Sequence, residues 1–96
     1  MEIILNGNNI SCEADFYNEL CSQNPDFGVY FGRNLSALKD YIGLLDGYTI
    51  KWLNHSYSKN KLKSDYDKIV NIFLDRNENI LRKELGDYRI INLILC

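Results

Sequence analysis

Two carboxylates stand where they could hold a charged partner. Asp40 closes the run Tyr30-Phe31-Gly32-Arg33-Asn34-Leu35-Ser36-Ala37-Leu38-Lys39-Asp40, in which an aromatic and glycine loop leads into a helix that Asn34 can cap. Leu35, Leu38, Ile42 and Leu45 recur at helical spacing and form a buried stripe, while Ser36, Asp40 and Leu44, four residues apart, line a neighbouring face. Tyr30 and Gly32 lie just ahead of that helix, where glycine lets another backbone come close. The second carboxylate, Asp75, falls two residues after Phe73 and, like Ile72, is expected off the core stripe of its own helix. Ile72 would then offer a small apolar contact. Acids in such positions recognise cations by charge, without making or breaking bonds.

Other chemistries find less support. His55 is the only histidine, and Ser56 with either aspartate could complete a triad, yet His55 sits in a polar stretch with no nucleophile motif around it. No catalytic residue is assigned, and the chain is not expected to be an enzyme. Cys12, Cys21 and Cys96 are odd in number and lack C-x-x-C spacing, so reduced thiols are expected rather than a disulfide framework or a metal site. No cofactor is implied. Gly32, Arg33 and the free N–H groups of the helix start could cradle a phosphate or nucleotide, but Gly28-x-x-x-Gly32 lacks the Lys-Ser/Thr of a phosphate-binding loop. That anion site and a cation-seeking Asp40 demand opposite partner charge at one spot.

Few elements are needed to position these residues. Ile3-Ile4-Leu5 predicts a short strand, ended by the turn-forming Asn6-Gly7. A helix follows, capped by Ser11, with Phe16 and Leu20 paired at a spacing of four, and it stops at Asn24-Pro25. The Asn34 to Leu45 helix comes next, then a strand over Tyr48 to Leu53 rich in aromatic and β-branched residues. Asn54 to Asn60 is polar and aperiodic and predicts a loop with at most one helical turn. Ser64-Asp65-Tyr66-Asp67 opens a long helix with the stripe Tyr66, Ile69, Val70 and Phe73, which could run to a stop at Gly86 with a break at Asn77 to Asn79. Ile90 to Leu95 closes as a near-continuous apolar strand, the pattern of a strand covered on both faces. This order predicts an α/β fold, a three-stranded parallel sheet packed with about three to four helices.

Ninety-six residues predict one domain over residues 1–96. A chain of this size buries only about 60 to 65% of its unfolded surface, which leaves little room for a deep catalytic cleft. No apolar run nears the roughly 20 residues that span a bilayer, and Met1-Glu2-Ile3-Ile4-Leu5 is no signal peptide, so a cytoplasmic protein without a membrane partner is expected. The net charge of −2 is unevenly spread: residues 1–48 hold seven acids and two bases, residues 49–96 six acids and nine bases. Asp40 therefore belongs to an acidic half. An acidic surface argues for a basic protein partner and against direct binding of nucleic acid.

The segment from Tyr30 to Asp40 resembles the signature of the barstar family, the intracellular inhibitors of the ribonuclease barnase. The likeness continues, in order, through Ile4 to Ile10, Val70 to Asp75 and Ile90 to Leu95, and is poor over roughly residues 53 to 63. It implies a barstar-like fold and an immunity protein for a basic, extracellular-type ribonuclease toxin, monomeric when free. In such inhibitors an acid-bearing helix plugs the nuclease active site, and a carboxylate replaces an RNA phosphate. Asp40 matches the family's principal inhibitory aspartate, Asp75 falls where a glutamate is usual, and Tyr30, Gly32 and Asn34 match contact positions. Ser36 stands in place of an aspartate, Lys39 in place of a tryptophan and Arg33 in place of a glutamate. The positive charges beside Asp40 predict weak or no inhibition of barnase itself. Tyr30, Gly32, Asn34, Leu35, Ser36, Lys39, Asp40, Leu44, Ile72 and Asp75 make up the expected partner-binding set. A barstar-like interaction module with a partner other than a ribonuclease remains the alternative.

Overall fold

The computed structural model describes all residues, Met1–Cys96. Strands β1 (Glu2–Asn6), β2 (Thr49–Leu53) and β3 (Asn92–Leu95) form one parallel sheet in the order β1-β2-β3. Helices α1 (Glu13–Gln23), α2 (Leu35–Tyr41), α3 (His55–Leu62) and α4 (Ser64–Arg82) complete the α/β fold expected from the sequence. The register places Ile3 beside Ile50 and Ile50 beside Leu93, and Leu5 beside Trp52. Because side chains alternate along a strand, these residues share the face that the helices cover. Ile3, Leu5, Ile50 and Trp52 join Phe16, Tyr17, Leu20, Leu38, Ile69 and Phe73 in a contiguous core of 19 buried residues, and Leu93 packs against it, partly buried.

The sheet's other face is open, which corrects the expectation of cover on both sides. Ile4, Lys51 and Ile94 form one row across it, and Ile4 and Ile94 are each about two-fifths exposed. An unbroken apolar run such as Ile90 to Leu95 does not by itself distinguish a strand covered twice from an edge strand covered once. Only Asn92–Leu95 is strand, while Ile91 is buried just before it.

Tertiary contacts set several element boundaries that local patterns misplace. The polar stretch expected to be a loop is helix α3, because it is held from outside rather than by its own periodicity. Its Ser58 is buried, accepts from the Trp52 indole Nε1 at 3.0 Å and donates to the Gly7 carbonyl at 2.8 Å. Gly7 is required there: a Cβ would lie 2.3 Å from the Leu53 carbonyl oxygen. Cys12, not Ser11, is the N-cap of α1, and the Ser11 N–H instead donates to Asp15 Oδ2 at 3.0 Å. That bond, with one from the Cys12 side chain, holds the Asp15 carboxyl below the ordinary carboxylate range. α4 runs unbroken through Asn77 to Asn79. The Asn77 side chain satisfies both backbone groups of Ile91, at 2.8 and 2.9 Å, instead of turning on its own helix.

One charge cluster ties the helical layer together. Asp46, after α2, accepts from Arg76 of α4 through Nε at 2.9 Å and Nη2 at 2.5 Å, and from Arg89 Nε at 3.0 Å. The bonds between Asp46 and Arg76 raise the Arg76 pKa above its ordinary value, since they favour the cation. No helix is long and apolar enough to cross a membrane.

Candidate partner-binding site

The loop before α2 is pinned at two points and free between them. Phe27 and Phe31 are buried, their ring centroids 4.9 Å apart, and Phe31 also meets Tyr41 at 5.1 Å and Tyr17 at 5.8 Å. Val29 and Tyr30 between them are both 91% exposed. Gly28 takes φ +67°, which costs glycine nothing, and Arg33 takes φ +52° as the chain turns into the helix. Asn34 caps α2 by accepting the Ala37 N–H at 2.8 Å. Tyr30 is thus a ring on a short, double-anchored loop beside a capped helix.

α2 is shorter than expected. The α-helix ends at Tyr41 and tightens into a 3₁₀ turn over Ile42–Leu45, where Gly43 has poor helix propensity. Ser36 and Asp40 keep their shared face and are both exposed, but Leu44 follows the tighter turn and does not continue that row. Its side chain is 43% exposed. Leu35 is partly buried against the core. Asp40 makes no ion pair or side-chain hydrogen bond within the chain, so its carboxylate faces solvent unopposed.

Between α2 and α4 runs a shallow groove. Lys39, Ile72 and Asp75 line both its halves; Leu35, Ser36, Lys68 and Asn71 flank one half, and Ile42, Arg76 and Asn79 the other. Asp75 is exposed and unpaired on the groove's wall. Ile72 is a correction: it is 8% exposed and part of the core, because α2 lies across the flank of α4 that a single-helix pattern assigns to solvent. It forms floor rather than protrusion. Lys68, Asn71 and Val29 adjoin these residues and were not singled out from the sequence. The spacing of Lys68, Ile72 and Asp75 at i, i+4 and i+7 was the available signal for Lys68.

The rival arrangements are less well furnished. At the start of α2, Arg33 reaches back to the Asn18 side chain and Asn34 occupies the Ala37 N–H, so two groups that would hold an anion there are already engaged. His55 Nδ1 lies 3.3 Å from the Tyr66 hydroxyl and makes no hydrogen bond to Ser56 or to either aspartate. No group of three or more His, Cys, Asp or Glu side chains gathers to hold a metal ion. Cys12, Cys21 and Cys96 are free, and burial pushes the Cys21 thiol pKa up.

A family model described as barstar (barnase inhibitor) matches residues 1–91 of the 96. The chain belongs to the barstar family. A comparison with curated proteins gives no match. Membership confirms the resemblance drawn from the Tyr30 to Asp40 segment and extends it across the middle of the chain, where α3 had left little local pattern. Members of this family are inhibitors rather than enzymes, which fits the expectation drawn from the sequence. The Tyr30 to Asp40 segment, on which the resemblance was drawn, coincides with the double-anchored loop and with α2.

Proposed function

We propose that this barstar binds a basic ribonuclease toxin inside the cell and blocks its active site with the surface made by Tyr30, Gly32, Asn34, Ser36, Lys39 and Asp40 of the loop and α2, flanked by Leu35, Leu44, Ile72 and Asp75. Asp40 stands in for a substrate phosphate among the nuclease's cationic groups, and Tyr30 anchors the rim. The observation that carries this reading is the state of Asp40: exposed, unpaired, and mounted on a capped helix whose inner face is fixed in the core. A carboxylate carried on a helix that is already formed, and not committed to an internal cation, breaks no ion pair on entering a cationic pocket, where the cations it meets offset its lost hydration.

Lys39 and Lys68 on the groove shape the choice of partner. They place positive charge beside the two aspartates, which disfavours a uniformly cationic nuclease face and favours one that interleaves acids with its active-site cations. The cognate toxin is therefore distinct from barnase in the charges around its pocket.

The test is co-expression with the nuclease encoded beside this gene, followed by RNA cleavage assays on the purified pair. Wild-type chain should suppress cleavage, and Asp40→Ala should weaken binding by about 2 to 5 kcal/mol, a scale taken from buried charge pairs at other interfaces, the barnase–barstar pair among them. Equal protection by the variant would remove Asp40 from the mechanism.

A further inference from the structure

The groove between α2 and α4 is not electrically uniform along its length. Ser36 shares one end with Lys68 and Asn71, Ile42 shares the other with Arg76 and Asn79, and Lys39, Ile72 and Asp75 belong to both. The ion pairs of the chain are Glu2 with Lys51, Asp46 with Arg76 and with Arg89, and Glu78 with Arg82. Lys39, Lys68 and Asp75 are therefore uncommitted, whereas Arg76 is held by Asp46. The Arg76 end is left with one free cation and one free acid, and the Lys68 end with two free cations against the same acid. Lys68 and Asp75 stand seven residues apart on α4, about 10 Å along its axis, so Asp75 does not answer Lys68. What surrounds Lys68 instead is the Ser36 hydroxyl and the Asn71 amide, which donate hydrogen bonds without charge, over the buried Ile72.

We propose that this end of the groove seats one carboxylate side chain of the nuclease, between the ammonium groups of Lys39 and Lys68, and that Lys68 is the residue by which the chain selects its toxin. The inference rests on the nuclease-blocking reading above and adds to it an acid that the partner must carry, with the place where it sits. Lys39 and Lys68 are both exposed, so neither must leave a partner within the chain to receive it.

Charge also decides which anion fits. An excess of one positive charge matches a single carboxylate. A phosphate carries more, and a nucleic-acid backbone repeats its charge along the strand, so either would also meet Asp75 in the groove and Asp40 beside Lys39. A protein surface that alternates in sign meets no such conflict: its cations face Asp40 and Asp75, and its acid faces Lys39 and Lys68. The same alternation penalises a nuclease whose rim is cationic throughout, because that rim would set a cation against Lys68.

Titration calorimetry of the full chain against the nuclease encoded beside its gene tests this, with thermal melts as the control for folding. Lys68→Ala and Lys68→Glu should keep the wild-type melting temperature, since the side chain is exposed and unpaired, while affinity falls about tenfold and about a hundredfold. Ser36→Asp, which answers Lys68 from within the chain, should weaken binding as Lys68→Ala does. On the nuclease, replacing the acids at the rim of its active site by lysine, one at a time, should give one variant that prefers the Lys68→Glu chain to the wild type. Wild-type affinity in both Lys68 variants, with Asp40→Ala still weakened, overturns the inference and leaves the blocking role standing. Indifference to Asp40→Ala as well removes both. A loss of affinity that no charge reversal on the nuclease restores overturns the inference too. So does inorganic phosphate, if it raises the melting temperature of the wild type and not of Lys68→Ala, because that end of the groove would then be a phosphate site.

Discussion

Tyr30 and Asp40 make different demands on the protein that carries them. Asp40 needs only to be charged and unclaimed, and its lack of an internal partner meets that demand. Tyr30 needs to be held still, because an aromatic ring contributes most to binding when little freedom is lost on contact. The buried rings of Phe27 and Phe31 on either side fix the backbone that carries it and leave the ring itself in solvent. Tyr30→Ala is therefore expected to leave the melting temperature unchanged, since a ring 91% exposed contributes little to folding. Affinity for the cognate nuclease should fall by about 2 kcal/mol, or roughly thirtyfold, by the scale of aromatic anchors. Thermal melts and titration calorimetry on the same preparation separate the two effects. A fall in stability equal to the fall in affinity would make Tyr30 a packing residue instead.

At the scale of elements, α2 is the ledge on which the site rests, and seven residues are too few to be stable alone. Two things hold it: burial of Leu38, and the Asn34 side chain on the Ala37 N–H. Asn34→Ala should lower stability by about 1 kcal/mol, the usual cost of a lost N-cap, as measured by urea denaturation. Nuclease affinity should fall further than that of a surface control such as Lys83→Ala, because the frayed first turn carries Ser36 and precedes Asp40. Asn34, with the Leu35 to Leu45 stripe behind it, was legible in the sequence because capping and helical spacing are local signals. The shortening at Tyr41 was legible only in part: Gly43 is a local signal of a weak last turn, but not of a 3₁₀ turn over Ile42–Leu45. Ile72 was not legible: its burial is created by α2, an element more than 25 residues away, and no periodicity within α4 records it. The polar helix α3 is the same case in stronger form. Its sequence lacks an apolar face, and what fixes it is Ser58 meeting a tryptophan and a glycine carbonyl from other elements.

Across the whole molecule, the relative placement of α2 and α4 decides whether Asp40 and Asp75 present one surface or two. Apolar packing at Ile42 and Ile72 sets their separation, and Asp46 sets their alignment by binding Arg76 on one side and Arg89 on the other. The Asp46 side chain is only 10% exposed and Arg76 17%, so each is stabilised chiefly by the other. Removing the acid leaves two guanidinium groups near one another with no counter-charge, and breaking a buried pair from one side is costly where replacing the whole pair is not. Asp46→Ala is therefore expected to destabilise the fold by about 3 kcal/mol, the lower end of the range for such losses because Arg89 is partly solvated. The further substitution Arg76→Met should recover a good part of that, since it removes the stranded charge and keeps the hydrocarbon. Urea denaturation of the two variants measures both steps. If the double variant were as unstable as the single one, the cluster would act through loop geometry, such as the Gly47 N–H bond to the Arg89 carbonyl at 2.8 Å, and not through charge. With charge as the cause, the double variant should also regain nuclease affinity, because what Asp46 supplies to binding is the register between two helices rather than a contact of its own.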